Sequence, residues 1–282
     1  MDTHLYQEHI MDIKHLIITF IGLITLNPHS YATDNSVECS NDQSVQVGPF
    51  FSTTIITPIW KPFTQKVASI TGCPLAIKSS PSFDIYLKHI LNKESDIYTV
   101  PEHYMNSLIS NGFTTLLRSK EPISGLIVSR IDLNGDKQAF NGSRFIIPSQ
   151  YTRSYLEAQH WLKQHHLTDK VKMQFSVSLD TAAAAILNKT AETTVILSMI
   201  YDKLPETLKS KLYTYEIHRK FYIYIAIRKD SSVSLKNAAI KAKDKIGLTE
   251  WVTTDITEIR DTEPSRLFAR QLKAFKEEHG FK

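Results

Sequence analysis

The sequence predicts an α/β fold of parallel sheets covered by helices, and three observations carry that prediction. First, from Gly142 to Leu162 (GSRFIIPSQYTRSYLEAQHWL) the apolar period changes from that of a strand to that of a helix. Arg144–Ile147 is a compact apolar run suited to a strand covered on both faces, and Pro148 stops it by removing a ladder donor. Ser149 is a natural helix cap, and Tyr155, Leu156, Ala158, Trp161 and Leu162 then recur at helical spacing. Second, the same change of period recurs along most of the chain. Third, Tyr213–Ile227 (YTYEIHRKFYIYIAI) is a β-prone run long enough to cross between two sheets, with Phe221, Ile223 and Ile225 alternating with Tyr222, Tyr224 and Ala226.

At the start, Leu16–Leu26 (LIITFIGLITL) follows Lys14, and Ser30-Tyr31-Ala32 offers the small residues that a signal peptidase reads, so residues 1–32 are expected to be an export signal. Cleavage would leave Thr33 first. The apolar run is short for a bilayer span, and an uncleaved anchor is the alternative reading. The acidic Asp2, Glu8 and Asp12 ahead of the run leave Met11 as an alternative start to Met1.

The next segments alternate in type. Ser44–Pro49 reads as a strand, Pro58–Thr71 as a helix and Pro74–Lys78 as a second strand. In such a β-α-β unit the segments entering the two parallel strands share one sheet edge. That brings together Cys39 and Cys73, the chain's two cysteines, and in an exported protein an even count suggests a structural disulfide. A reactive or metal-binding pair is the alternative.

Ser82–Lys93 places Phe83, Tyr86, Leu87, Ile90 and Leu91 on one helical stripe. Ser95–Val100 reads as a strand, Pro101–Ser110 as a helix that Gly112 ends, and Phe113–Arg118 and Ile123–Ser129 as strands. Asp132–Asp136 (DLNGD) is a turn signal. Beyond the central helix, Val171–Val177 alternates as a strand, Ser178-Leu179-Asp180 caps an Ala-rich helix over Thr181–Asn188, and Thr193–Ser198 is another buried strand. The end of the chain holds a Lys-rich helix from Ser234, a piece carrying Trp251, and a helix from Pro264 that presents Leu267, Phe268, Leu272 and Phe275.

Composition and motifs exclude several functions. The 282 residues, 42% hydrophobic, suffice for one large domain or two lobes. The 9 glycines include neither G-x-x-x-x-G-K-[ST] nor G-x-G-x-x-G, which argues against nucleotide hydrolysis. His160 and His165 are five apart and share no helix face, so zinc spacing is lacking. No G-x-S-x-G elbow occurs. Lys229–Lys245 is basic without interleaved aromatics, which fits a solvated helix face better than a nucleic-acid surface. The net charge of +4 loses one lysine and three acidic residues with the signal and becomes +6, a balance that suits an anionic ligand.

Several stretches together resemble the two-lobed periplasmic solute-binding proteins, and specifically the phosphate/phosphite/phosphonate-binding group. In order these are VGPF (Val47–Phe50), SDIYTVPEHYMNSL (Ser95–Leu108), FNGSRFIIPSQYTRSYL, SLDTAAAAILN and YIAIRKDSSV. The resemblance covers about residues 43–245. It implies a type II binding-protein fold with one lobe of residues 40–122 plus 228–282, a second of residues 130–212, and hinge crossings at 123–129 and 213–227. It also implies a solute held in the cleft between the lobes.

Phe50, Phe51, Ser52 and Thr53 after the first strand, with Thr99 and Tyr104, are the expected ligand contacts from the first lobe. Ser149, Gln150, Tyr151, Thr152 and Ser178 are those from the second. The helix start at Ser149–Thr152 exposes N–H groups at a positive dipole end, although capping alone also explains Ser149 and Thr152. The family's small Ser-Thr-Ser-Gly turn corresponds here to Ser149-Gln-Tyr-Thr152, a bulkier turn that implies weak binding of phosphonates. The expected function is capture of a small polar or anionic solute by a monomeric periplasmic protein serving an ABC importer, with no cofactor, metal or nucleic acid. Alternatives are a ligand-sensing partner of a membrane histidine kinase and an exported enzyme.

Overall fold

The computed structural model describes Cys39 and residues 43–133 and 140–281. The export signal at 1–32 and most of the Asp132–Asp136 turn lie outside the described residues. Among the described residues no helix is long and apolar enough to cross a membrane.

The first lobe begins with β1 (Ser44–Val47), α1 (Thr53–Thr71), β2 (Ala76–Ser79), α2 (Phe83–Leu91), β3 (Ile97–Pro101), α3 (Met105–Ser110) and β4 (Phe113–Ser119). The chain then enters the second lobe with β5 (Ile123–Arg130), β6 (Arg144–Ile147), α4 (Arg153–Gln164), β7 (Lys172–Phe175), α5 (Leu179–Leu187) and β8 (Thr193–Leu197). Two short helices follow, α6 (Ser198–Tyr201) and α7 (Glu206–Lys209). The β-prone run forms two strands that part at Tyr222: β9 (Leu212–Phe221) stays in the second lobe and β10 (Ile223–Arg228) enters the first. There α8 (Val233–Lys241), β11 (Trp251–Thr253) and α9 (Glu263–His279) complete the chain.

The six-stranded sheet has the order β11-β4-β10-β3-β1-β2, and the five-stranded sheet β7-β6-β8-β5-β9. Parallel pairs come from the β-α-β units (β1 with β2 and β3, β6 with β7 and β8). Antiparallel pairs involve β5, β9, β10 and β11. Each sheet is therefore mixed, because the strands that carry the chain between lobes return against their neighbours.

Several helices start elsewhere than their sequence suggests; α3 follows a 3₁₀ turn at Glu102–Tyr104 and begins at Met105 rather than at Pro101, which ends β3. α1 begins five residues ahead of Pro58 and contains Pro58 and Pro62. The ring at Pro58 removes one backbone donor, and nearby the hydroxyl of Thr57 donates to the Thr53 carbonyl at 2.9 Å. α4 begins at Arg153, so the cap is Thr152 rather than Ser149: Thr152 Oγ1 accepts from the Tyr155 N–H at 3.2 Å and donates to the Ser149 carbonyl at 2.7 Å. Ser149 instead tightens the preceding turn by accepting from the Tyr151 N–H at 3.2 Å.

Cys39 and Cys73 form a disulfide with Cα atoms 5.4 Å apart, at the edge where the segments entering β1 and β2 meet. The core of the first lobe does not end at the lobe. Leu179, Leu197 and Phe221 of the second lobe are buried in the same apolar cluster as Val45, Trp60 and Ile225.

Candidate functional site

The cleft is built at the C-terminal ends of strands, where sheet edges and helix starts leave polar groups to converge. From the first lobe come the β1–α1 turn and the segment after β3; from the second come the β6–α4 turn, the start of α5 and the end of β8. These surfaces are in direct contact. Leu179 N donates to the Phe50 carbonyl at 2.9 Å, and Ser52 N to Asp180 Oδ1 at 3.0 Å. The Tyr151 carbonyl accepts from the Tyr104 hydroxyl at 3.1 Å and faces His103 Nε2 at 3.1 Å. A carbonyl can only accept, so Nε2 carries the imidazole proton.

Among the described residues two small cavities lie between the lobes. One, of about 20 Å³, is lined by Thr152, Arg153, Ser154 and Phe221 of the second lobe and Phe50 and Pro101 of the first, among others. The other, of about 40 Å³, is lined by Phe51, Trp60, Thr99, Leu248 and Trp251 of the first lobe and Met199 of the second, among others. Phe50, Leu197 and Ile223 line both, so the cavities are neighbours parted by three apolar side chains.

Of the residues expected from sequence, the structure brings Phe50, Phe51, Thr99 and Thr152 to these cavities. Thr99 Oγ1 already accepts from the Gly48 N–H at 3.0 Å. The others lie around them. Ser52 occupies the N-cap position of α1 without a side-chain capping bond, its hydroxyl lying 2.9 Å from Thr54 Oγ1, and Thr53 is exposed. Tyr104 is fully buried with its ring stacked on Phe268 at 3.8 Å. Tyr151 projects into the first lobe's aromatic cluster and meets Phe275 edge-on at 5.6 Å. Gln150 is exposed and its carbonyl accepts from Gln271 Nε2 at 3.1 Å. Ser149 closes its own turn, and Ser178 caps α5 by accepting from the Thr181 N–H at 3.4 Å.

Sequence reasoning passed over Arg153. It is 8% exposed, lines the smaller cavity, sits 5.3 Å over the Phe221 ring and pairs with Glu157 at 2.7 Å. Burial pulls the Arg153 guanidinium down from its ordinary range, against the charge of Glu157; burial pushes the Glu157 carboxyl up, against Arg153. A signal was present in the sequence. A cation in the first helical turn opposes the macrodipole, so an arginine there needs a reason. His103 is the other overlooked group: burial, and then the charge of Arg153, lower its pKa to about 3, so it is neutral at ordinary pH. Among the described residues no three His, Cys, Asp or Glu side chains cluster as a metal site.

Two mixed sheets covered by helices, a strand pair passing between them and a cleft at the strand ends define a two-lobed solute-binding protein. The family model for the phosphonate periplasmic substrate-binding proteins of ABC transporters matches residues 45–214. The chain belongs to that family, and its role is that of a solute-binding protein of an ABC importer.

Solved structures agree in fold. A binding protein component of an ABC phosphonate transporter from Pseudomonas aeruginosa is 13% identical, with a TM-score of 0.65 over 84% of this chain and 96% of that one. A Prochlorococcus marinus protein in complex with methylphosphonate is 10% identical, with a TM-score of 0.67 over 85% and 98%. A Xanthomonas citri protein bound to ATP is 12% identical, with a TM-score of 0.54 over 84% and 98%. No curated protein matches by sequence.

Proposed function

We propose that the solute is held where the two cavities meet, by Thr152, Arg153 and Ser154 of the second lobe and Phe50, Phe51 and Thr99 of the first. The observation that carries this reading is the cavity wall itself: each cavity is walled by side chains of both lobes, so whatever fills it favours the closed arrangement. Tyr104, Tyr151, Ser52 and Asp180 then act as the contacts that hold the lobes together. The chain is exported, loses residues 1–32, and as a monomer hands its solute to a membrane permease. The family's name points to phosphonates, yet the turn that would grip them has a buried tyrosine at its third position. A less highly charged solute fits better.

Native mass spectrometry of the freshly purified chain tests this directly, with a thermal-shift panel of phosphate, phosphite, alkylphosphonates, sulfonates and carboxylates beside it. The expected result is a small solute that is retained by the folded protein, is released on unfolding, and raises the melting temperature when returned. A chain that retains nothing and responds to no member of the panel would defeat the proposal.

A further inference from the structure

We propose that the solute is an amphipathic monoanion, with a carboxylate head seated on Arg153 and Ser154 and an unbranched hydrocarbon body running past Phe50 toward Trp251. The inference rests on the cleft being the solute site and goes further by assigning the ligand's chemistry.

The head is argued from the smaller cavity. Arg153 and Ser154 are the first two residues of α4, and a helix supplies no carbonyl for its opening N–H groups. Both residues line the cavity and both are more than nine-tenths buried. Arg153 Nε has no hydrogen-bond partner. One cation with unused donors in a water-poor cleft selects an anion. The same cation limits the charge. Glu157 stands 2.7 Å away, and Glu102 and, with the opposite sign, Arg219 also act on Arg153 through their charges. A dianionic phosphonate would bring two negative charges to a guanidinium already paired with one carboxylate, whereas a carboxylate brings one.

The body is argued from the larger cavity. Its walls are aliphatic and aromatic except for Thr99 and Thr249. It is also an unfinished piece of core: the indole N–H of Trp251 has no partner although the residue is 4% exposed, and Leu248 on the wall holds a left-handed backbone with φ of 79°. Left-handed backbone at a bulky residue is costly and is found at turns, ligand clamps and switch segments. The width decides the shape. A cavity of roughly 150 Å³ takes a benzene ring, whereas spaces of about 20 and 40 Å³ hold about one and about three water-sized groups, so a ring is excluded and a slender chain enters only as the side chains around it give way. Phe50, Leu197 and Ile223 line both spaces, so the route from Arg153 to the second space runs past these three residues.

Calorimetric titration of the signal-free chain with acetate, butyrate, hexanoate, 1-hexanol and methylphosphonate tests the assignment. Burying each methylene is expected to tighten binding roughly fourfold from acetate to hexanoate. Hexanol, lacking the charge, should bind at least about tenfold more weakly than hexanoate, and methylphosphonate more weakly than butyrate. No gain with chain length, or methylphosphonate tighter than hexanoate, would overturn the proposal. The double variant Arg153→Gln/Glu157→Gln should weaken hexanoate by at least about tenfold and leave hexanol unchanged; equal hexanoate affinity would remove Arg153 from the site. Should that variant fail to fold, the wild-type chain-length series decides alone. Small-angle scattering separates the two levels of the argument. If methylphosphonate compacts the protein and hexanoate does not bind, the cleft stands as a solute site and the ligand class falls. If hexanoate binds with no effect on the lobes or on their melting, the cleft itself is wrong.

Discussion

The hydroxyl of Tyr104 donates to the backbone carbonyl of Tyr151 at 3.1 Å, and this single bond spans the two lobes. Tyr104 belongs to the first lobe, at the end of the segment after β3; Tyr151 belongs to the turn before α4. The Tyr104 ring is held independently by stacking on Phe268, so its hydroxyl can be removed without disturbing its packing. Tyr104→Phe should therefore cost about 1 kcal/mol of lobe closure, which shifts the ratio of open to closed molecules roughly fivefold. Small-angle scattering of the ligand-free variant should show a larger radius of gyration than the wild type. An unchanged radius would mean that this bond does not govern closure.

His103 makes stability depend on pH. Its folded pKa of about 3 lies below the ordinary value of about 6.5, so between those limits the unfolded chain binds a proton that the folded chain refuses. Stability therefore rises with pH through this window and is lost as pH falls, by about 2 kcal/mol between pH 7 and pH 5. His103→Gln offers a neutral amide donor in place of the imidazole. Urea unfolding at both pH values should show that the variant loses distinctly less stability on acidification. Parallel losses in both proteins would assign the effect to other groups.

The Cys39–Cys73 bridge closes a loop across a sequence separation of 34. Cross-linking a loop of that size restricts the unfolded chain and should contribute on the order of 3 to 4 kcal/mol. Under non-reducing conditions the intact mass should be two hydrogens below that of the dithiol. Reduction should lower the melting temperature by roughly 10 °C. A melting curve indifferent to reductant would leave the bridge without a stabilising role.

Much of this architecture was legible because the periodicities are strong. Arg144–Ile147 is a strand with the bounds the sequence suggests, since Pro148 can neither donate to a ladder nor extend it. The pairing of Cys39 with Cys73 followed from an even cysteine count in a chain expected to be exported, supported by β-α-β geometry. What the sequence concealed depends on contacts between distant segments. Ser149 and Thr152 are equally good caps by residue type, and only the turn that Ser149 closes on the Tyr151 N–H decides between them. Tyr151 sits in a turn by local pattern, yet its ring is buried against α9, a helix more than a hundred residues onward. Arg153 reads as one more polar residue of an amphipathic helix until Phe221 and Glu157 are placed around it.

That last group supplies the sharpest test of the site's energetics. Arg153 and Glu157 are paired at 2.7 Å with side chains 9% and 1% exposed, yet Arg153 Nε and both Glu157 carboxylate oxygens lack a well-formed hydrogen bond. Their mutual attraction must offset a desolvation cost of several kcal/mol per ion, which an incompletely bonded pair does poorly. Removing one partner leaves the other charge buried and alone, so Arg153→Gln and Glu157→Gln should each destabilise the protein by about 3 to 5 kcal/mol. Changing both to glutamine leaves no charge to desolvate, and the double variant should lie closer to wild type than either single one. Chemical unfolding of the four proteins at pH 7 gives the coupling energy directly. Single losses that simply add in the double variant would show that the two side chains act independently, and the pair would then lose its place as the charged centre of the cleft.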